Sequence, residues 1–486
     1  MTQQKIQIPL GLGSYESTAL QFSAQRCINL FAAVAREQSL NETALFGTPG
    51  IVSFSDLGID KSRGSAVMAG VYYAVSAQTL YSIDQFGVKT SIGTITGDVR
   101  IKTAHNGEKL VILVPGGNAY VYNATTDTLV QITDVDFRTS DSVCFKDGFY
   151  IFTETNTNVF FNSALNDPLT YDALDFGTAE LAPGPIIGCH VNYDELFILK
   201  IDNTEPFQNV GGSGFPFQRI PGASYEKGTH SKYSPIEWEG SFYFLGGGVN
   251  EKTTVLRAGE TAEPENISTD AIDQEIQKFT VEEISKSFSF TYSLNGFSFV
   301  GFTLESINVD PKTFVFNITA SKLTGRSIWL EQQSGISDNA WRVSTINNIY
   351  NKLIVSDIID GRIGYLDPDT YTEYGNTILR LKTTGPLSEK SSSLIVSKLE
   401  LVVNSGVGLI TGQGSDPQVM MEFSNDGART WIGEFWRPIG KIGEYLRRTV
   451  WRRLGRVPAN RVWSFKVSDP VQVVFIKIIA EVEIVQ

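Results

Sequence analysis

Seven times along this chain a turn-type pair of residues is followed at once by a short aromatic or β-branched run. Ala69-Gly70 precedes VYYAV, Asn106-Gly107 precedes EKLVILV, and Asp147-Gly148 precedes FYIF. The pattern returns at Asp194-Glu195 (LFILKI), Glu239-Gly240 (SFYFL), Asn295-Gly296 (FSFVGF) and Asn351-Lys352 (LIVSDI). Gly and Asn accept the positive φ of a tight hairpin turn, while aromatic and β-branched side chains suit a pleated, half-buried surface. Between the second residues of successive pairs the steps are 37, 41, 47, 45, 56 and 56 residues. These bracket the roughly 40–50-residue repeat of a four-stranded propeller blade. Further strands are predicted at 79–84, 119–123, 158–162, 254–258 and 362–367. Turn-then-strand units also build ordinary sandwiches, but their repetition here predicts a β-propeller of about seven blades.

Helical periodicity is nearly absent. One short helix is predicted over 268–279, with Ser268 or Thr269 as cap and Asp270 and Asp273 near the positive end of its dipole. Ile272, Ile276 and Phe279 form its apolar stripe, which suits packing on a blade or a neighbouring subunit. Beyond about residue 377 the pattern changes. A polar, turn-rich stretch at 386–393 reads as a boundary, followed by strand-like runs at 394–403 and 471–485. The prediction is an all-β chain in three parts: an N-terminal arm over 1–50, a β-propeller over 51–376 and a C-terminal β-sandwich-like domain over 377–486.

Composition removes several alternatives. Of 486 residues, 42% are apolar and 19% charged, enough core material to exclude global disorder. A net charge of −13 argues against a protein that coats nucleic acid or anionic membrane with its whole surface. Cys27, Cys144 and Cys189 are too few for a disulfide framework and point to synthesis in a reducing compartment. No long apolar run opens the chain and no window reaches about 18 uninterrupted apolar residues, so neither a signal peptide nor a membrane-spanning helix is expected.

Charge is unevenly placed. Residues 429–466 hold ten Lys and Arg against two acids, a segment of +8 that leaves −21 for the rest of the chain. Trp431, Trp436, Trp451 and Trp463 lie in the same segment. Arg with Trp is the composition of energetic interface centres, and it also suits phosphate contact with stacking. A solvated Arg-rich hairpin with its tryptophans in the core would look the same. The candidate assembly interface is Arg447, Arg448, Trp451, Arg452, Arg453, Arg456, Arg461 and Trp463.

Signs of catalysis are thin. His105, His190 and His230 are too widely spread for a sequence-local zinc motif, and no G-x-S-x-G, P-loop or H-E-x-x-H motif occurs. The glycine clusters 211–214 and 246–248 lack the strand–loop–helix setting of a phosphate cradle. Ser424-Asn-Asp-Gly-Ala-Arg-Thr-Trp431 resembles the Asp-box turn of sialidases, with Ala428 where that motif prefers Gly. It occurs once, outside the repeats, and no carboxylate pair is singled out for glycoside hydrolysis. No catalytic, cofactor or metal residues are assigned.

Several motifs in chain order resemble one family. Gln25-Arg-Cys-Ile-Asn-Leu30 and Phe46-Gly-Thr-Pro-Gly50 open the set, followed by SALNDPLTYDALDFG at 163–177, PFQRIPG at 216–222 and ISTDAI at 267–272. The C-terminal block GVGLITGQGSDPQVMMEFSNDGARTW, then IGKIGEY, WRRLGR and VSDP, completes it. Together they resemble the packaged-DNA stabilisation proteins, or tail hubs, of short-tailed bacteriophages, across essentially the whole chain. Ala428 and Phe31 are small departures. The resemblance implies a non-enzymatic virion tail protein, made and assembled in the host cytoplasm, that forms a homohexameric ring around a propeller. Its implied partners are the head–tail adaptor or portal ring, a needle or plug, fibres or spikes, and passing genomic DNA without sequence specificity. The alternatives are a propeller glycosidase and a glycan-binding adhesin acting on host surface polysaccharide.

Overall fold

The structure is a computed structural model that describes residues 3–37, 41–212, 214–259, 263–387, 393–457 and 460–485. Each of the seven turn pairs falls at the turn between the first and second strands of a different blade. The first four sheets span 62–94, 102–131, 140–178 and 188–219, each with four strands in sequential antiparallel order. Blade five covers 228–266, and its first strand is split between Gly228–Thr229 and Ile236–Trp238. Blade six runs over 288–332, and blade seven begins with three strands between 343 and 367. Strand Gly50–Asp56 supplies the fourth, antiparallel to Arg362–Asp367, so chain from before blade one closes blade seven. The first strand of blade seven meets that of blade one, where Ser65 Oγ donates to Asn347 Oδ1 at 2.7 Å, and the ring is complete.

Four of the turn pairs have both residues at positive φ, between 49° and 86°: Ala69-Gly70, Asp147-Gly148, Glu239-Gly240 and Asn295-Gly296. That is the backbone twist a two-residue hairpin needs. At the fourth and seventh sites the turn sits one residue earlier than the sequence pattern placed it, at Tyr193-Asp194 and Tyr350-Asn351. The drift in repeat length has a physical source. Helices Asp270–Ile276 and Val281–Lys286 lie between blades five and six, and helix Ile318–Thr324 is inserted within blade six. The first of these is the predicted helix. Thr269 caps it, and Ile272, Ile276 and Phe279 are buried against Phe302, Phe314 and Trp329.

The strands are continuous apolar runs because blades are buried on both faces. Leu110 and Ile112 pack toward blade one with Tyr73 and Val75, while the alternate residues Val111 and Leu113 pack toward blade three with Tyr150 and Phe152. The same alternation recurs at each junction, ending with Ile349, Ile354 and Ile363 of blade seven against Tyr72, Ala74 and Ile83 of blade one.

The second domain is a β-sandwich. One sheet contains Thr449–Val457, Ser393–Val403 and Val474–Val485; the other contains Arg380–Thr383, Val462–Val467, Gln418–Ser424 and Ile432–Pro438. The expected boundary at 386–393 lies largely outside the described residues. Residues 1–50, expected as an arm, contribute strands to the sandwich: Gln3–Ile8 pairs with Val474–Val485, and Leu30–Val34 and Thr43–Gly47 extend the same sheet. Cys27–Ile28 lies between Trp329–Gln332 of blade six and Arg380–Thr383, so one nine-stranded sheet runs from propeller into sandwich.

The motif Gln25–Leu30 is the rivet of this junction. Arg26 donates to Glu331 at 2.7 Å and to Asp338 at 2.9 Å. Asn29, in the left-handed region at φ 52°, bridges the carbonyls of Gln333 and Leu379 and accepts from the Gln333 amide. Burial alone would raise the Glu331 carboxyl, but Arg26 and Lys312 hold it below its usual range. Gly50, closing the second motif, passes so near the Thr372 carbonyl that a Cβ there would lie 2.3 Å from its oxygen.

Candidate assembly surface

Strands Ile432–Pro438 and Thr449–Val457 are edge strands of opposite sheets, joined by the loop 439–448. They meet along one side of the sandwich, where Trp451 Nε1 donates to the Phe435 carbonyl at 2.8 Å and Arg437 Nε to that of Val450 at 3.1 Å. This strand–loop–strand segment carries seven of the ten basic residues of 429–466. The candidate residues separate into two groups.

Trp451, Trp463 and Arg461 are buried. Both indoles lie in the sandwich core with Phe465, Val467 and Phe475. Arg461 donates to Asn425 Oδ1 and to the carbonyls of Leu454 and Arg456, all within 2.8 Å, and its guanidinium stacks on Phe423. These three hold the domain together, and their side chains offer no surface to another molecule. Arg447, Arg448, Arg452, Arg453 and Arg456 are exposed. Arg448 pairs with Glu400, whose carboxyl is held below the usual range by that hydrogen bond. Glu400 also lies 3.5 Å from Lys398, which reaches Glu481 at 3.1 Å, so a charge ladder crosses the outer face of the sheet. Register shifts between Val396 and Lys398, opposite Gly455 and Arg452, and Arg453 takes φ 60°. This bulge turns both Arg452 and Arg453 toward solvent, as an extra residue in an edge strand does.

Pattern reading selected the wrong pair of tryptophans for the surface. Trp431 and Trp436 are 38% and 45% exposed, and Ile442, Tyr445 and Leu446 of the connecting loop are more so. The usable signal was the adjacent pair Phe435-Trp436 between Glu434 and Arg437: neighbours on a strand face opposite sides, so Phe435 packs inward and Trp436 faces out on a strand exposed along nearly its whole length. The Asp-box turn at the other end of that strand is structural. Asp426 accepts from Ser424 Oγ, from Thr430 Oγ1 at 2.6 Å and from the amides of Arg429 and Thr430, and these bonds push its pKa well down.

The propeller contributes a cleft of about 750 Å³ between blades six and seven, lined by Glu283, Glu305, Ile307, Pro311, Ala340, Arg342, Ile358, Ile359 and Glu373 among others. Arg342 is neutralised by Asp357 and by Asp360 at 3.2 Å. Glu373 is buried, accepts from Trp341 Nε1 at 2.9 Å, and is pushed up to about 7 by desolvation. His190, on the first strand of blade four, is pushed down to about 3 by burial and by Lys102. Among the described residues no group of three His, Cys, Asp or Glu is placed to hold a metal ion, and no helix is long and apolar enough to cross a membrane.

The chain is therefore an all-β protein in which a closed propeller shares a sheet with a β-sandwich that carries an arginine-rich edge. Two family models match it in series: "Bacteriophage P22 Gp10, beta-propeller" over residues 6–371 and "Bacteriophage P22 Gp10, beta-sandwich" over residues 380–483. The chain belongs to this family of phage tail-hub and DNA-stabilisation proteins, and is a bacteriophage structural tail protein. No curated protein matches it. Among solved structures it is similar to the computationally designed Ika8 protein (13% identity, 70% of this chain and 99% of that one, TM-score 0.39). It is also similar to a chain of the Mitotic Checkpoint Complex (12% identity, 69% and 96%, TM-score 0.39). A third is the extracellular domain of BT4673 from B. thetaiotaomicron (12% identity, 80% and 47%, TM-score 0.42).

Proposed function

We propose that this chain is the tail hub of a short-tailed phage: a ring below the portal and its adaptor that prolongs the DNA channel, retains the packaged genome and carries the distal tail parts. The observation that carries the proposal is the match of both domains, in order, to the two halves of one phage tail protein. In this reading the exposed Arg447, Arg448, Arg452, Arg453 and Arg456, with Trp431 and Trp436, form the contact to a neighbouring subunit or to the adaptor. Arg and Trp together give planar hydrogen-bonding forks and large rigid contact area. The −21 balance outside the basic segment suits a channel that repels DNA phosphates, so that the genome slides instead of sticking.

Reversing charge at Arg452 and Arg453 tests the assignment. Particles carrying R452E/R453E are expected to package DNA but to leak it or lack tails, read by electron microscopy and by nuclease sensitivity of the genome. Intact tailed particles would remove this segment from the assembly contact. Absence of the chain from mature tailed virions would remove the hub reading itself.

A further inference from the structure

The cleft between blades six and seven and the loop 439–448 are opposites on one chain. The cleft has apolar walls, Ile307, Pro311, Ala340, Ile358 and Ile359, and Ile307 and Ile359 are 99% and 61% exposed. Its fixed cations are already spent: Arg342 on Asp357 and Asp360, and Lys286 on Glu282 at 2.7 Å. Of its three carboxyls, Glu283 is held by Thr280, Ser306 and Asn308 and Glu373 is buried against Trp341, which leaves Glu305, without an ion pair among the described residues, facing the opening. The site is therefore apolar inside and acidic at its border. At about 750 Å³ it falls within the range of clefts that seat a bulky apolar group.

The loop has the complementary character. Ile442, Tyr445 and Leu446 are 59%, 72% and 96% exposed, flanked by Lys441, which lies 3.7 Å from Asp416, and by Arg447, with Glu444 between them. It is ordered by its own bonds: the Glu444 amide donates to the Lys441 carbonyl at 2.9 Å, the Arg447 amide to the Glu444 carbonyl at 3.1 Å, and Ser405 Oγ to the Tyr445 carbonyl at 2.7 Å. Three large apolar side chains on a preordered loop lose little freedom on docking. Neither patch is covered by the described residues of its own chain.

We propose that loop 439–448 of one copy seats Leu446 and Tyr445 in the cleft between blades six and seven of a second copy, with Lys441 and Arg447 facing the Glu305 border. Opposite charge and matched apolar character favour this occupant over an unrelated protein. Because two different patches meet, the contact is heterologous and repeats from copy to copy, closing into a ring where the rotation permits. The proposal deepens the tail-hub reading by naming the contact between neighbours.

Cysteine pairing in assembled tails tests it. Particles are grown with L446C/I307C or L446C/I359C chains, oxidised with copper–phenanthroline and run on a non-reducing gel, with each single-cysteine chain as control. A ladder of covalent dimers and higher multimers is expected from at least one pair, at tenfold or more the control level. Double-cysteine chains present in tails without a ladder overturn the docking and leave the hub reading standing. If the variants fail to enter tails, wild-type particles grown with mixed light and heavy isotopes are treated with an amine cross-linker. A light–heavy Lys441–Lys286 link is then expected, and its absence overturns the proposal. Wild-type chain missing from the tails would sink the hub reading, and the docking with it.

Discussion

Single residues at the domain junction carry more than their size implies. Glu331 is buried and balanced mainly by Arg26, so Arg26→Ala leaves the carboxylate only Lys312, 3.7 Å away, and the Ser14 hydroxyl. The expected cost is about 3 kcal/mol or more, read as a lower urea midpoint with unchanged slope. Glu373 acts in the opposite sense. Its carboxyl is raised to about 7 in the folded chain, so the native state holds a proton that the unfolded state has already released. Stability is then fully present below the ordinary glutamate range and falls as pH rises toward 7, by on the order of 2–3 kcal/mol. Glu373→Gln should flatten that dependence; a wild-type urea midpoint constant between pH 5 and 7.5 would contradict it. Ala428 holds φ 70°, a strained conformation for any residue with a Cβ. Replacing it with Gly, the residue its turn motif prefers, should raise stability by up to about 1 kcal/mol, seen as a higher melting temperature.

At the level of elements, the two kinds of tryptophan separate fold from assembly. Trp463→Ala empties a filled core position and should cost about 3–5 kcal/mol in denaturant. Trp436→Ala, on the exposed edge strand, should change stability by no more than about 0.5 kcal/mol while reducing incorporation into tails. The sequence showed the blades because a turn pair and the run after it are local, and each turn leads from a first strand to a second whose period is written in consecutive residues. Strands at 119–123, 254–258 and 362–367 lie where pattern reading placed them. What stayed hidden was non-local. That Gln3–Ile8 pairs with Val474–Val485, or that Gly50–Asp56 completes blade seven, depends on partners hundreds of residues away. The burial of Arg461 was equally unreadable, since a cation satisfied by carbonyls of the bulged strand Thr449–Val457 looks in sequence like any other surface arginine.

For the whole molecule, charge is the property read most directly from composition and the one that salt can tune. An assembly contact built on exposed arginines should weaken as ionic strength rises, because the screening length shrinks from about 10 Å at 0.1 M to about 3 Å at 1 M. Tails held by this surface should shed the chain in high salt, as followed by sedimentation of salt-treated wild-type particles; equal retention at about 0.1 M and about 1 M salt would contradict it. The connection between the domains has a mechanical consequence. Two residues, Cys27 and Ile28, stitch blade six to the sandwich, with Arg26 and Asn29 bolted across the seam. The two domains are thus joined by backbone hydrogen bonds on both sides of Cys27–Ile28 as well as by the covalent chain. The two bodies should therefore tilt together, as one stiff unit, with no hinge at the seam.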